Sequence, residues 1–136
     1  MRRGVIAAVL VVLATLALGA QGVNEEFALN LTRAVAEAQQ KYVHSHPQAG
    51  YACTLAELEG AGVIETAVAS GKANGYKFDL SCPGKAMPRT EYEFVAKPTD
   101  FKKTGGRTFC TTQRAGILFS TDGQGKTCLK GGQLVK

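Results

Sequence analysis

The apolar residues of this chain change their spacing at Asn74-Gly75, and that change selects the fold class. Ahead of it, "NEEFALNLTRAVAEAQQKYVHSH" sets Phe27, Leu31, Ala34/Val35, Ala38 and Tyr42 on one helical stripe. Asn24, Arg33, Glu37 and Lys41 fall on the other side. Asn24 suits an N-cap, Glu25 and Glu26 stand where the helix dipole favours negative charge, and Pro47 disfavours continuation beyond His46. "TLAELEG", opened by the capping box of Thr54 and Glu57, and "VIETAVAS", ending at Gly71, predict two short helices. Behind Asn74-Gly75 the period is two. Tyr76, Phe78, Leu80 and Cys82 alternate with Lys77, Asp79 and Ser81, and Tyr92, Phe94 and Ala96 alternate with Glu91, Glu93 and Val95. "RTFCTTQ" and "GILFS", joined by Arg114-Ala115-Gly116, read as a hairpin, and "TDGQGKTCLKGG" as a loop held by Cys128. Helices followed by strands predict an α+β fold, with the N-terminal helix packed on a four-stranded antiparallel sheet.

Cys53, Cys82, Cys110 and Cys128 form an even set without a C-x-x-C pair. Zinc ribbons and dithiol redox motifs need close pairs, so two disulfides are the better reading than a metal site built from all four. Three connectivities are open. The sequential one, Cys53–Cys82 with Cys110–Cys128, closes loops worth about 3 to 4 kcal/mol each by chain entropy.

Disulfides imply an oxidising compartment, and the first residues supply a route to it. In "MRRGVIAAVLVVLATLALGA", Arg2 and Arg3 precede the uncharged run Gly4 to Leu18, and small residues follow as far as Gly22. This is the layout of a secretory signal, with cleavage after Gly19 or after Gly22. Residues 1–22 are expected to be a signal peptide or, alternatively, a short membrane anchor using residues 4–20 in the inner membrane; residues 23–136 form one globular domain. The domain is placed in the periplasm or outside the cell either way, because the positive charges precede the apolar run.

Charge is divided unevenly. Residues 23–71 carry two basic and six acidic side chains, and residues 72–136 carry twelve basic and five acidic. A basic C-terminal half is either a solvated surface or one that attracts a polyanion such as DNA or an acidic polysaccharide. No basic run is interleaved with aromatic residues, which argues against a nucleic-acid interface.

No residue is assigned to catalysis, to a cofactor or to a metal, and the chain is not read as an enzyme. His44 and His46 are two apart, do not share a helix face, and read as helix-end histidines. Asp122 in "STDGQG" is a single carboxylate where a calcium loop supplies several, so Asp122-Gly123 reads as a turn. Glu25/Glu26 and Glu91/Glu93 read as solvated acidic pairs. The glycines of "KTGGRT" precede a strand rather than open a helix, a poor phosphate cradle. No nucleophile elbow is present.

An N-terminal helix, a connecting region and a β-meander with a cysteine-closed C-terminal loop resemble the layout of type IV pilins and pseudopilins. "NEEFALNLTRAVAEAQQKY" is similar to the segment in which the pilin helix enters its head. "GYACTLAEL", "VIETAVASGKANGYKFDLSC", "YEFVAKP" and "GGRTFCTTQRAGILFSTDG" look like the head of a bacterial pilin-like subgroup. The resemblance covers most of Asn24 to Cys128. It implies an exported structural or interaction protein of a type IV pilus or type II secretion system, whose partners are other pilin-like or secretion-system proteins. The opening departs from the family: the position of the family's assembly glutamate, five residues after the leader glycine, is Val9, and the apolar stem is shorter. These residues favour a pilin-like head placed behind an ordinary export signal.

Overall fold

The computed structural model describes residues 2–114 and 116–136, with side chains from Gly19 onward in the first helix and without that of Ala67. In order, the elements are α1 (Arg2–Ser45), α2 (Leu55–Gly60), α3 (Thr66–Ala69), β1 (Lys72–Ala73), β2 (Tyr76–Ser81), β3 (Glu93–Pro98), β4 (Thr108–Thr112), β5 (Leu118–Ser120), α4 (Gly125–Gly131) and β6 (Gln133–Leu134). The strands form one antiparallel sheet in the order β1-β2-β3-β4-β5-β6. The fold is α+β, as the change of period predicts.

The expected helical stripe is the buried face of α1. Ala28, Leu31, Val35, Ala38 and Tyr42 pack with Phe78, Leu80, Phe94, Ala96 and Phe109 in a single core. Strand register explains the match. Leu80 pairs with Phe94 and Phe78 with Ala96, then Ala96 with Phe109 and Phe109 with Phe119, so the inward residues of four strands lie on one face. Burying each of the large side chains contributes about 1.5–3 kcal/mol. Thr54 caps α2 as foreseen: its hydroxyl accepts the Glu57 N–H at 3.1 Å, and Glu57 Oε2 accepts the Cys53 N–H at 3.1 Å.

Three expectations are corrected. The sheet has six strands rather than four; the additional β1 and β6 hold two residues each, too few to carry a period. β1 exists because Asn74 and Gly75 both take positive φ (48° and 73°), which folds Lys72-Ala73 back onto Tyr76-Lys77. The C-terminal segment is a helix, α4, followed by β6, rather than a loop. And α1 does not start at Asn24: it is one helix from Arg2, and the Asn24 side chain donates to the Thr104 carbonyl at 3.0 Å instead of capping.

The disulfides are Cys53–Cys82 and Cys110–Cys128, which selects the sequential pairing among the three. The first ties the segment after α1 to the end of β2, and the second ties α4 to β4. Among the described residues no helix is long and apolar enough to cross a membrane. The side chains of Gly4–Leu18, on which the choice between signal and anchor rests, lie outside the described residues, as does Ala115 of the expected turn.

Candidate functional site

α1 covers one face of the sheet, and α4 lies on the other. Cys128 is bonded to Cys110, whose strand neighbours are Val95 and Leu118, and Gly125 sits so close to Val95 that an added Cβ would stand 3.0 Å from its Cγ1. This seats α4 beside β3 and leaves the outer face of β2 and β3 as the floor of a furrow of about 440 Å³. Lys77, Asp79, Ser81, Glu93, Val95 and Lys97 line its floor, and Gln124, Lys126 and Leu129 its wall. A second hollow of about 440 Å³ continues past Glu93 and Leu129 toward Tyr92, Gln113 and Arg114.

The register sets three lysines in a row on this face. Lys72 pairs with Lys77 across β1–β2, and Lys77 with Lys97 across β2–β3. Directly opposed residues project to the same side with Cα atoms about 4.5–5.5 Å apart, and like charges so placed destabilise the pair. Among the described residues none of the three, nor Lys126, has a carboxylate at ion-pair distance. Other cations of the head do: Arg107 meets Glu25 at 2.9 Å, Arg89 meets Glu57 at 3.1 Å, and Lys103 meets Asp100 at 3.7 Å. The furrow offers N–H donors of positive charge, hydroxyl and carboxylate acceptors, and a short apolar strip at Val95 and Leu129.

A second arrangement fixes the place where α1 meets the β3–β4 loop. Gln21 donates through Nε2 to the Lys102 carbonyl, and Asn24 donates to that of Thr104. Glu25 accepts the Gly106 N–H at 2.8 Å and the Arg107 Nε–H at 2.9 Å. The Arg107 guanidinium in turn lies 5.2 Å from the Phe109 ring and 5.6 Å from that of Phe119. Tyr76 donates to the Arg107 carbonyl at 2.6 Å, and burial first, then the charge of Glu25, pushes its phenol well above its usual range, with Arg107 opposing. Gly105 is required here, because a Cβ would stand 2.3 Å from Tyr76 Oη.

The sequence-predicted positions are distributed as follows. His44 is exposed in the last turn of α1, while His46 stacks on Tyr42 with ring centroids 4.1 Å apart and holds Nδ1 3.0 Å from the Tyr42 carbonyl. Among the described residues no three metal-ligating side chains converge. Asp122 makes the expected turn: its Oδ1 accepts the Gln124 N–H at 3.0 Å, and bonds from Thr127 first and Gln124 second hold its carboxyl below the ordinary value. The two acidic pairs read as solvated are only partly so. Glu25 is the anchor just described, and Glu93 lines both hollows, with Glu91 beside it in the second. The Gly106 N–H, considered as part of a phosphate cradle, is taken by Glu25.

The lysine row escapes a linear reading because its members come from three strands. Half of it was accessible: a two-residue Asn-Gly hairpin turn dictates Ala73 opposite Tyr76 and therefore Lys72 opposite Lys77. Lys97 needs the register across β2–β3, which joins the strands through a long loop. The chain matches no protein-family model, no curated protein and no solved structure.

Proposed function

We propose that the chain is an exported pilin-like structural protein that acts through protein–protein contacts, in or beside a type IV pilus or a type II secretion system. The observation that carries this reading is α1: one helix from Arg2 to Ser45 whose second half is buried on the sheet while the first continues past the loop anchored by Asn24 and Glu25. A head so attached, with its C-terminal segment fastened by Cys110–Cys128, is suited to presenting surface loops to partners rather than to catalysis. Two disulfides support export to an oxidising compartment, periplasmic or extracellular.

The test is the intact mass and N-terminal sequence of the chain from its native host, without reduction. A chain starting at Val5 in the membrane fraction means processing as a filament subunit, and one starting near Ala20 or Val23 means a free head. A cytosolic protein with four free thiols overturns the proposal. A second reading, a secreted binding module for a polyanion, is favoured by the lysine row alone.

A further inference from the structure

We infer that the furrow between β2–β3 and α4 is a binding site for an acidic polysaccharide, a chain carrying a carboxylate on its successive sugars. This goes beyond the pilin-like reading and does not depend on it, since a free head carries the same face.

The first argument is the row itself. Lys72, Lys77 and Lys97 are set in direct opposition on adjacent strands, an arrangement that repels, and none is relieved by a carboxylate although other cations of the head are. The fold thus sustains a local cost that a bound polyanion removes. The second is the wall. Lys126 and Gln124 are brought to the furrow by α4, which Cys110–Cys128 fastens to the sheet, so the fourth cation stands on a preformed support. Little ordering is left to be done on binding.

The lining selects the ligand. No aromatic ring faces the furrow, so unstacked bases find no platform there. Asp79 lies opposite Val95 midway along the floor, and Glu93 lies opposite Ser81 at the end away from Lys77 and Lys97. Those carboxylates, with Ser81 and Gln124, are suitable partners for sugar hydroxyls, and Val95 with Leu129 gives an apolar strip for the face of a pyranose ring. Cations at one end, Ser81 and Glu93 at the other, and Val95 beside Asp79 between them fit a charged carbohydrate better than a nucleic acid.

The experiment is titration calorimetry of the oxidised full chain with oligogalacturonate, with a neutral dextran oligomer and single-stranded and duplex DNA as comparisons. Neutralising the three lysines that line the furrow itself, Lys77, Lys97 and Lys126, at the slope of a single-stranded polyelectrolyte predicts a loss of about 20-fold in affinity between 50 and 200 mM salt. Lys77→Gln/Lys97→Gln is expected to weaken binding tenfold or more and to flatten the slope of log K against log salt by about 1.4. Lys103→Gln, whose lysine is paired with Asp100 away from the furrow, leaves both unchanged. The double variant should melt no lower than the parent, because it relieves repulsion, so loss of binding is separable from loss of fold. Absence of oligogalacturonate binding at 50 mM salt overturns the inference. So does binding that the double variant leaves intact, tighter binding of either DNA, or a lysine-dependent self-association in place of ligand binding.

Discussion

Gln39 is fully buried on the core side of α1, and its amide takes the place of a neighbouring strand for one residue: Nε2 donates to the Ala52 carbonyl at 2.7 Å and Oε1 accepts the Ala52 N–H at 2.9 Å. Ala52 is itself fully buried and precedes Cys53, so this side chain fixes the segment that the Cys53–Cys82 bridge then locks. Gln39→Ala removes two hydrogen bonds and strands a buried donor and a buried acceptor. At about 1–3 kcal/mol for each orphaned group, and allowing a water to enter the vacated space, the loss comes to about 3–5 kcal/mol. That corresponds to a fall in Tm of about 12–20 °C for a domain of this size. Gln39→Leu separates hydrogen bonding from volume, since it fills the space, excludes water and leaves both Ala52 groups unpaired; it should be no better than the alanine variant. Gln39→Glu adds a pH signature. Its carboxylate opposes the Ala52 carbonyl, whereas its protonated form donates to it, so its folded-state pKa is raised. Stability is then greatest below the unfolded carboxyl value of about 4.3 and declines as pH rises through the folded one. Thermal and urea unfolding of the oxidised proteins at pH 4 and pH 7 provide the measurement. A Gln39→Leu variant as stable as the parent refutes the reasoning, because packing volume would then account for the residue.

Reduction should proceed in order. Cys110 and Cys128 are fully buried whereas Cys53 and Cys82 are only partly buried, so graded reductant followed by alkylation and peptide mass mapping should label Cys53 and Cys82 first. Cys110→Ser/Cys128→Ser should lower stability by about 3 kcal/mol, from the chain entropy of a loop with a separation of 18 residues, as read by urea unfolding. Alkaline titration should destabilise the fold from about pH 10 upward. Burial pushes Tyr92 up to about 12 and raises Tyr76 further, so the unfolded phenols ionise first and stability falls across the interval between unfolded and folded values. Tyr76→Phe should shallow that slope while lowering stability at neutral pH through loss of the bond to the Arg107 carbonyl.

What could be read in the chain followed the rules of local periodicity, and what could not was decided by contacts between distant segments. The stripe from Leu31 to Tyr42 was legible because it repeats over several turns. The start of α1 was not: Asn24 has the chemistry of a cap, but its amide is claimed by Thr104, 80 positions away, and the helix passes through it. α4 was hidden by the glycines around "GQGKTC", which favour a loop; the bond to Cys110 and the seat of Gly125 against Val95 supply what local propensity does not. Gln39 offered no signal, since a glutamine beside Ala38 reads as a surface residue until Ala52 is brought against it. The furrow belongs with these, because its cations converge only through strand register and the disulfide.

The two functional readings use opposite sides of the sheet, which lets single substitutions separate them. Glu25 anchors α1 to the β3–β4 loop on one side, and the lysine row lies on the other. Glu25→Ala strands the Gly106 N–H and leaves Arg107 without its carboxylate, a loss of about 2–4 kcal/mol for two hydrogen bonds to a charged group. Its further effect is local: amide hydrogen exchange should rise in residues 102–107 and in α1 around Gln21–Glu25, while the furrow keeps its shape because α4 is held by Cys110–Cys128. Glu25→Ala should therefore impair any association that depends on how the helix enters the head and leave oligogalacturonate affinity within twofold. Lys77→Gln/Lys97→Gln should do the reverse. If Glu25→Ala abolishes both, the two sides are not independent, and the head must be treated as a single surface whose contacts share one mechanical origin in the loop between β3 and β4.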